Sequence, residues 1–518
     1  MMKMGDWVRF STTLYPNKEA VIFGDVRLTY KEFNGRINKL AQALLKAGVK
    51  KGERIAILAT DCHQYLEINF AAAKIGAIFV PLNFRWREDD VEYGINYAQA
   101  VVLFVGDDYQ AMISSMRAKL PTIKLFIAVT GSAAGMDKYD DLLSTGPDVE
   151  PAVDINERDV VNIQYTSGTT GFPKGAMLTH RNATVRSMNC MAEMRMEPHW
   201  IEYSGSPIFH VAGFYVHHPI IMRGGTVVLA KQFDVEGFAR LVQKEKINYA
   251  FLVPAMINFL ANWEGIEKYD LSSIKDIFYG GSPISVEGLK KAQNMFHGCN
   301  FWQAFGQTED SPQTMLRPED HVTEGDEQQK RRMYSVGKPV LGHWLKIVDE
   351  NDNEVPAGDV GEIVCISDQR MKGYWENPEI TAQTLRGGWL HTGDMGRMEA
   401  DGYLYLVDRK NDMIIRGGEN IFPAEIEQVL YTHPKIFEVA VIGVPDKTMG
   451  EDVMAVVVLR EGAKATEEEI IEFCKGRIGG YKRPRKVTFM KDLPRNPSGK
   501  VLKRELKKEF WKGHERMI

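Results

Sequence analysis

The early part of the chain alternates between amphipathic stretches with a helical period and short apolar runs. In the segment from residue 28 to 48, the apolar positions recur at helical spacing: Phe33, Ile37, Leu40 and Leu44. Thr29 and Glu32 form a capping-box pattern in front of them, and Gly48 follows them. The pattern predicts a helix here, followed by a buried strand at "ERIAIL".

Further apolar runs predict strands that alternate with helical stretches. They are "VVLFVG", "KLFIAVT", "VVNIQYT", "TVVLA", "NYAFLVP" and "DIFYGG". Strands that are apolar on both faces are typical of sheets covered by helices on both sides. The sequence therefore predicts an α/β fold, with a large N-terminal domain of stacked α/β subdomains and largely parallel sheets.

The pattern of apolar and turn-forming residues changes after about residue 340. The segment "HWLKIVDENDNEVPAGDVGEIVCIS" has short strands between Asn, Gly, Pro and Asp turns, which predicts a small antiparallel barrel or sheet. The polar cluster "DRKNDMI" then marks a second boundary. Beyond it, helices at "FPAEIEQVLYTH" and "TEEEIIEFCKGRI" flank two apolar strands, as in a small α+β domain. We expect an N-terminal domain at 1–407, a hinge at 408–413 and a mobile C-terminal domain at 414–518.

Composition and charge narrow the classes of function. The chain has 518 residues, is 44% hydrophobic and 26% charged, and carries a net charge of −5, which does not favour nucleic acid as a partner. Its five cysteines lie far apart in the sequence, which indicates reduced thiols in a cytosolic protein and not a disulfide framework. We expect no stable membrane insertion and a cytoplasmic location. A homodimer stays an open alternative.

One stretch combines several residues that can bind an anion. "YTSGTTGFPKGAML" (Tyr165–Leu178) follows a predicted strand and precedes a predicted helix. A Gly-rich turn in that position offers backbone N–H groups to an anion, and its hydroxyls and lysine add further donors. Lys174 follows Pro173 rather than standing in a Gly-Lys-Ser/Thr sequence, so the spacing does not match the P-loop of kinases and ATPases.

This stretch resembles the phosphate-binding signature of the adenylate-forming superfamily, which includes acyl-CoA synthetases, aryl-CoA ligases, luciferases and amino-acid adenylation domains. The resemblance continues through later motifs and covers nearly the whole chain. It implies that the ATP phosphates are bound by the hydroxyl, glycine and lysine residues of the stretch: Thr166, Ser167, Gly168, Thr169, Thr170, Gly171 and Lys174.

"WQAFGQTED" resembles the superfamily's adenine and magnesium segment. The resemblance implies that Thr308 contacts the α-phosphate, that Glu309 with Thr166 holds Mg²⁺, and that Phe305 and Gly306 lie at the adenine. This chain has Ala304-Phe305-Gly306 where the family usually has Gly-Tyr-Gly. Ala304 therefore adds a methyl group where the acyl tunnel is expected.

Two shorter motifs complete the expected nucleotide site. "YGGSPIS" resembles the loop whose backbone lies along the adenine, with Gly281 and Ser282 at the nucleotide and Gly280 at the acyl pocket. "HTGDMG" contains Asp394, which the resemblance places at the ribose hydroxyls, where a carboxylate offers two acceptor oxygens. Arg409 is expected to reach the ribose or a phosphate.

The remaining expected residues concern the acid, the thiol and the change between two half-reactions. By resemblance, His210 lies beside the acyl carboxylate and Phe214 lines the pocket. The resemblance places Gly417 and Gly418 along the coenzyme A arm, while Lys482 and Arg483 are expected at its phosphates. Lys500, in "NPSGK", is the expected catalytic lysine. Asp408 and Lys410 are the expected hinge.

These motifs together predict an ATP- and Mg²⁺-dependent carboxylic acid:coenzyme A ligase. It would form an acyl-adenylate and pyrophosphate first, and then an acyl-CoA and AMP. The expected substrate is a medium- or long-chain fatty acid or an aryl acid. The alternatives are a luciferase-like monooxygenase, a stand-alone adenylation enzyme that loads a carrier protein, and a non-catalytic binder of acyl groups or nucleotides.

Overall fold

The computed structural model describes residues 2–166, 173–282, 284, 286–409, 412–417, 419–446, 448–495 and 501–512, without the side chains of Asp408, Arg409 and Asn420. Its α-helices are α1 (Met4–Leu14), α2 (Tyr30–Lys46), α3 (His63–Ile75), α4 (Glu88–Ala98), α5 (Gln110–Met116), α6 (Tyr139–Ser144), α7 (His180–Met194), α8 (Val211–Arg223), α9 (Val235–Glu245), α10 (Pro254–Ala261), α11 (Val286–Met295), α12 (Glu327–Met333), α13 (Pro378–Thr384), α14 (Pro423–Tyr431), α15 (Glu467–Phe473) and α16 (Lys503–Phe510).

The strands alternate with these helices along most of the chain. They are β1 (Glu19–Phe23), β2 (Val26–Thr29), β3 (Arg54–Leu58), β4 (Ile78–Pro81), β5 (Ala100–Val105), β6 (Leu125–Ala128), β7 (Asp137–Lys138), β8 (Val160–Thr166), β9 (Lys174–Thr179), β10 (Ile201–Ser204), β11 (Thr226–Leu229), β12 (Tyr249–Leu252), β13 (Asp276–Gly280), β14 (Asn300–Gln307), β15 (Asp310–Leu316), β16 (Lys338–Pro339), β17 (Trp344–Val348), β18 (Gly361–Ile366), β19 (Gly373–Tyr374), β20 (Leu390–Met398), β21 (Leu404–Arg409), β22 (Ile414–Arg416), β23 (Glu419–Ile421), β24 (Ile436–Asp446), β25 (Gly450–Leu459) and β26 (Lys486–Phe489).

The chain divides into two compact units. The first comprises Met1–Trp344 and Cys365–Leu390, and the second comprises Leu345–Val364 and His391–Ile518. The second unit therefore includes residues 345–364 and 391–407, which the sequence analysis assigns to the N-terminal domain. The functional boundaries at 407 and 414 stay predictions.

The first unit is built on two mixed sheets. One has the strand order β16-β15-β14-β13-β12-β10-β11-β1-β2, and the other has the order β19-β9-β8-β4-β3-β5-β6-β7. Both are parallel at the centre, as between β12 and β13 or between β3 and β4, and antiparallel towards an edge. The predicted α/β class is confirmed, because buried apolar strands receive helices on their faces.

The local signals of the sequence act as expected at the first amphipathic helix. The Thr29 hydroxyl accepts from the Glu32 N–H at 3.2 Å, and the Glu32 carboxylate accepts from the Thr29 N–H at 2.8 Å. Both halves of the capping box are formed, and α2 begins at Tyr30. Gly48 follows the helix with φ of 89°, so the predicted end of the helix is also confirmed.

The connection after β8 differs from the prediction. The sequence predicts a turn directly between that strand and a helix. Instead, Lys174–Thr179 forms β9, which runs antiparallel to β8 and pairs Thr166 with Lys174. Helix α7 begins only at His180, where Thr179 caps it through Asn182. The apolar segment "GAML" pairs with β8 on one side and, on the other, with β19 from a distant part of the sequence. This pairing satisfies its buried backbone groups, and local periodicity does not reveal it.

The second unit contains two sheets. The first has the order β17-β18-β20-β21, in which β20 and β21 pair antiparallel. The second has the order β23-β22-β25-β24, with β26 beside β25. Alternate residues of β24 face two cores: Val439 and Val441 pack in one, and Ala440 and Ile442 pack in the other. The predicted small antiparallel sheet and the predicted α+β lobe are confirmed.

None of the helices traced in the described ranges is long and apolar enough to cross a membrane.

Candidate active site

The end of the β8–β9 hairpin carries the two described ends of the Gly/Thr/Lys stretch. Thr166 is the last residue of β8 and pairs with Lys174, the first residue of β9. The hairpin brings the predicted hydroxyl and the predicted cation to the same edge. The Lys174 ammonium lies 5.4 Å from the centre of the Tyr374 ring, within the range of a cation–π contact.

Tyr374 connects this hairpin to Glu309. It lies on β19, which pairs antiparallel with β9 so that Tyr374 faces Ala176. Its hydroxyl donates to a Glu309 carboxylate oxygen at 2.5 Å, and the Glu309 side chain is buried. Burial, reinforced by the Glu309 charge, raises the pKa of Tyr374 above its ordinary value, so the phenol keeps its proton and donates.

Glu309 lies in the tight turn between β14 and β15, where Gln307 pairs with Asp310. The adjoining Asp310 is fully buried and anchors this turn. Its carboxylate contacts His343 Nε2 at 3.0 Å and accepts from the Ser367 hydroxyl at 2.7 Å. The Met371 N–H also donates to the Glu309 backbone carbonyl at 2.7 Å. The position of Glu309 is therefore fixed through both its backbone and its side chain.

The predicted adenine and acyl-pocket residues meet across two neighbouring parallel strands. Gly280, at the end of β13, pairs with Ala304 of β14, and a Cβ atom at Gly280 would lie 2.6 Å from the Ala304 carbonyl oxygen. A larger residue cannot be accommodated there without displacing backbone. Gly281 follows with φ of 84°, a conformation that favours glycine, and has open space around its Cα. Phe305 and Gly306 continue β14 towards Thr308.

His321 links the end of β13 to the Arg317 backbone through the two nitrogens of its ring. Its Nε2 lies 3.0 Å from the Tyr279 hydroxyl, and its Nδ1 lies 2.8 Å from the Arg317 carbonyl oxygen. Burial lowers the pKa of His321 to about 4, so the ring is neutral at pH 7 and accepts from Tyr279.

His210 and Phe214 lie at the start of α8. His210 is the N-cap residue, and its Nδ1 accepts from the Ala212 N–H at 3.4 Å. Phe214 is fully buried and stacks on Phe79 with ring centres 5.8 Å apart. Asp61 holds the preceding loop by accepting from the Ile208 N–H at 3.0 Å, and burial raises the pKa of Asp61 to about 8. The pocket roles of His210 and Phe214 stay predictions.

In the second unit, Asp394 lies on β20 with a buried side chain and faces Arg409 of β21 in the strand register. Gly417 is exposed at the end of β22 with φ of 60°, and its N–H donates to the Met449 carbonyl at 2.9 Å. Lys482 is engaged by Glu425 at 2.7 Å, so a coenzyme A phosphate there would compete with an existing ion pair. Arg483 follows Lys482 and is half-buried.

Several predicted residues lie outside the described residues, and their roles stay predictions. They are Ser167, Gly168, Thr169, Thr170, Gly171, Lys410, Gly418 and Lys500, together with the side chains of Asp408 and Arg409. Ser282 is described and is exposed just after Gly281.

The donor types near Glu309 suit a hard divalent cation bound with a nucleotide. Carboxylate and hydroxyl oxygens are the ligands that Mg²⁺ prefers, and Mg²⁺ usually completes its shell with phosphate oxygens and water. Glu309 supplies a buried carboxylate and Thr308 precedes it in the same turn, so these residues fit a metal–nucleotide complex.

Four residues of the site are not indicated by any sequence signal: Tyr374, Asp310, His343 and Asp61. The segment around Tyr374, "KGYWEN", has no local pattern that indicates a role. Tyr374 acquires one only because β19 joins the edge of the sheet beside β9. Asp310 stands in the quoted motif beside Glu309, but its burial depends on partners 33 and 57 positions away.

Comparisons with known proteins match nearly the whole chain. The family model described as AMP-binding enzyme matches residues 9–375, and that of the AMP-binding enzyme C-terminal domain matches residues 425–500. A feruloyl-CoA synthase from Amycolatopsis sp is 36% identical, covering 98% of this chain and 99% of the relative. The long-chain-fatty-acid–CoA ligase FadD13 of Mycobacterium tuberculosis is 32% identical, covering 98% and 99%. The crystal structure of the anthranilate CoA ligase AuaEII in complex with anthranoyl-AMP superposes with a TM-score of 0.88 at 26% identity, covering 98% and 97%.

Proposed function

The chain belongs to the family of AMP-binding enzymes and is an AMP-forming acid–thiol ligase, and we propose that the acid it joins to coenzyme A is a fatty or aryl carboxylic acid. It uses ATP, Mg²⁺ and coenzyme A, as this family does. The named relatives that act on feruloyl and long-chain fatty acyl groups support this range of acids.

One observation carries the assignment of the site. Thr166 and Lys174 end one hairpin, Glu309 occupies the turn of another, and Tyr374 contacts both Lys174 and Glu309. Residues from three distant parts of the sequence are thereby gathered at one place. Hydroxyl, ammonium and carboxylate groups in such proximity can bind a nucleoside triphosphate together with its metal ion.

The chemistry explains why this set is needed. A carboxylate is a poor acyl donor, because its leaving group would be oxide. Attack of the carboxylate on the α-phosphorus of ATP releases pyrophosphate and gives an acyl-adenylate, from which a thiol then displaces AMP. Negative charge increases on the transferring phosphate during the first step, and Thr166, Lys174 and Thr308 are proposed to donate to it. Mg²⁺ bound at Glu309 would supply charge neutralisation there.

The second half-reaction is proposed to use residues of the C-terminal segment. Lys500 is assigned to adenylation, and Gly417 and Gly418 are assigned to the approach of the coenzyme A arm. A change of conformation at residues 408–413 between the two steps remains part of the proposal. Lys410→Pro is expected to impair thioester formation more than pyrophosphate release, because proline restricts the backbone rotation that a hinge requires.

The experiment measures pyrophosphate release over a panel of fatty, aryl and short branched acids, with and without coenzyme A, and follows the acyl-CoA and AMP products. We expect pyrophosphate release with at least one fatty or aryl acid, and acyl-CoA only when coenzyme A is added. Pyrophosphate release without acyl-CoA formation, but with transfer to an added carrier protein, would reject the thiol acceptor. Oxygen uptake with light emission would assign a different second step.

A further inference from the structure

Arg186 is a buried cation on α7. Its side chain is 3% exposed, and its guanidinium carbon lies 3.8 Å from the centre of the Tyr215 ring, which covers one face of the group. Within the described part of the chain, Nε, Nη1 and Nη2 have no hydrogen-bond partner. Arginine stays charged in proteins, and its five N–H groups point outwards in the plane of the guanidinium. The N–H groups at the edge of the guanidinium can therefore donate to an acceptor.

Three titratable groups near Arg186 feel its charge and are neutral: Cys190, Tyr215 and His218. Burial raises the pKa of Cys190 to about 12 and that of Tyr215 to about 12, in each case against the opposing effect of Arg186. Burial, with His217 and Arg186 adding to it, lowers the pKa of His218 well below its ordinary value. The thiol, the phenol and the imidazole all remain uncharged at pH 7, so none of them balances the guanidinium.

The acid on the same helix that lies two turns further along is already engaged. Glu193 Oε2 pairs with Arg317 at 2.7 Å, and its Oε1 accepts from the Leu341 N–H at 3.0 Å. By contrast, Arg181, five residues before Arg186, has its own acids in Asp368 and Glu157. Arg186 thus differs from its neighbour on α7 in having a buried charge without a described acid.

A line of polar side chains leads from Arg186 to the candidate active site. The Tyr215 hydroxyl donates to Asn162 Oδ1 at 2.9 Å, and Asn162 Nδ2 donates to Gln164 Oε1 at 3.3 Å. Gln164 in turn donates to the carbonyl of Phe209, the residue before His210. Asn162, Gln164 and Thr166 lie on one face of β8, because side chains two apart point the same way.

The rise per residue along β8 gives the distance that this line of side chains spans. Four residue steps of about 3.3 Å place Asn162 roughly 13 Å from Thr166 along the strand. The Thr166 end adjoins the proposed phosphate site, where the reacting carboxylate attacks, and the Asn162 end adjoins Tyr215, which contacts Arg186. A substrate that follows β8 from the first end to the second would bring its far end to the guanidinium.

We propose that Arg186 binds a second oxygen acceptor of the substrate, at the end opposite the carboxylate that is activated. This inference rests on the proposed function and narrows its substrate class. A carboxylate is the acceptor that fits best, since it neutralises the guanidinium and matches its paired N–H groups. A phenolic oxygen presents the same acceptor chemistry without the full charge.

The test compares matched acids with the full-length enzyme. A graded series of α,ω-dicarboxylic acids is measured against monocarboxylic acids of equal carbon number, and para-hydroxylated aryl acids are measured against their unsubstituted parents. We expect kcat/KM for pyrophosphate release to be about 10- to 100-fold higher for the better-matched member of at least one pair type. Preference within the dicarboxylic pairs identifies a carboxylate, and preference within the aryl pairs alone identifies a phenolic oxygen.

Variants assign the preference to Arg186. In Arg186→Met the ratio of kcat/KM within the preferred pair should fall towards one, and in Arg186→Lys it should be intermediate. Arg181→Met, on the same helix, should keep the wild-type ratio. A ratio within one variant is insensitive to a general loss of folded enzyme.

The wild-type panel decides the proposal even if Arg186→Met does not fold. Equal kcat/KM values within every pair, with robust pyrophosphate release, would overturn the role of Arg186 and leave the proposed function intact. A preference that survives unchanged in a folded Arg186→Met or Arg186→Lys enzyme would also overturn it. No pyrophosphate release with any acid would instead remove the proposed function and, with it, this inference.

Discussion

Replacing Tyr374 by phenylalanine removes one hydroxyl from the candidate site and leaves the ring in place. In the wild type this hydroxyl donates to the buried Glu309 carboxylate at 2.5 Å, while the ring lies beside the Lys174 ammonium. The substitution should therefore keep the pairing of β19 with β9 and the cation–π contact. It changes chiefly how Glu309 is oriented at the turn between β14 and β15.

The size of the effect follows from the chemistry of that bond. A hydrogen bond to a charged group contributes about 1.5–3 kcal/mol, more than a neutral one, because the buried carboxylate has little water to replace the lost donor. If this orientation is needed equally in the transition state, adenylation should slow by about 10- to 150-fold. The half-saturating Mg²⁺ concentration should rise as well, since Glu309 is the proposed metal ligand.

The assay is pyrophosphate release at graded Mg²⁺ concentrations, with saturating acid and ATP. Tyr97→Phe is the matched control: it removes a tyrosine hydroxyl that donates to the backbone carbonyl of Trp375, next to Tyr374, and does not contact Glu309. Thermal unfolding of both variants shows whether the fold is retained. A folded Tyr374→Phe enzyme with an unchanged rate and an unchanged Mg²⁺ dependence would refute the positioning role of Tyr374.

Three other predictions address the lysine, acid stability and a helix cap. Lys500→Ala should slow pyrophosphate release by about 100-fold, which is the usual effect of losing one preorganised contact. The control Lys491→Ala, at an exposed lysine, should leave the rate unchanged. A normal adenylation rate in Lys500→Ala would refute the role assigned to Lys500. The folded-state pKa of His321 is about 4, below its ordinary value, so its contribution to stability is complete above pH 6.5 and is lost as pH falls towards 4. His321→Gln should therefore reduce the loss of unfolding free energy between pH 7 and pH 5 by about 2 kcal/mol, measured by denaturant titration at both pH values; an undiminished loss would contradict the linkage. Thr29→Ala should lower the free energy of unfolding by about 1 kcal/mol, because it removes the hydroxyl that accepts from the Glu32 N–H, while the backbone N–H of residue 29 can still donate to the Glu32 carboxylate. Thr13→Ala, which removes an exposed hydroxyl inside α1, is the control for that measurement and should cost less.

Much of the fold and part of the site could be predicted from sequence because the signals are local. Thr29 and Glu32 set the start of α2 through bonds three residues apart, and the apolar runs around Ile277 and Ala250 are long enough to mark β13 and β12. Glu309 is expected at the site only through the resemblance of its motif. Its burial beside Tyr374 could not be predicted, since that contact joins residues 65 positions apart.

The sequence by itself determined the order of most helices and strands, the change of architecture after residue 340 and the identity of the expected nucleotide-binding residues. The first two features depend on period and capping within short windows, whereas the expected nucleotide-binding residues depend on the resemblance of their motifs to the adenylate-forming superfamily. Only the tertiary structure decided that β9 intervenes before α7, that Tyr374 lies between Lys174 and Glu309, and that Arg186 is buried without a described acid. Strand pairing and burial are set by contacts between distant segments, whose free energy no local pattern encodes.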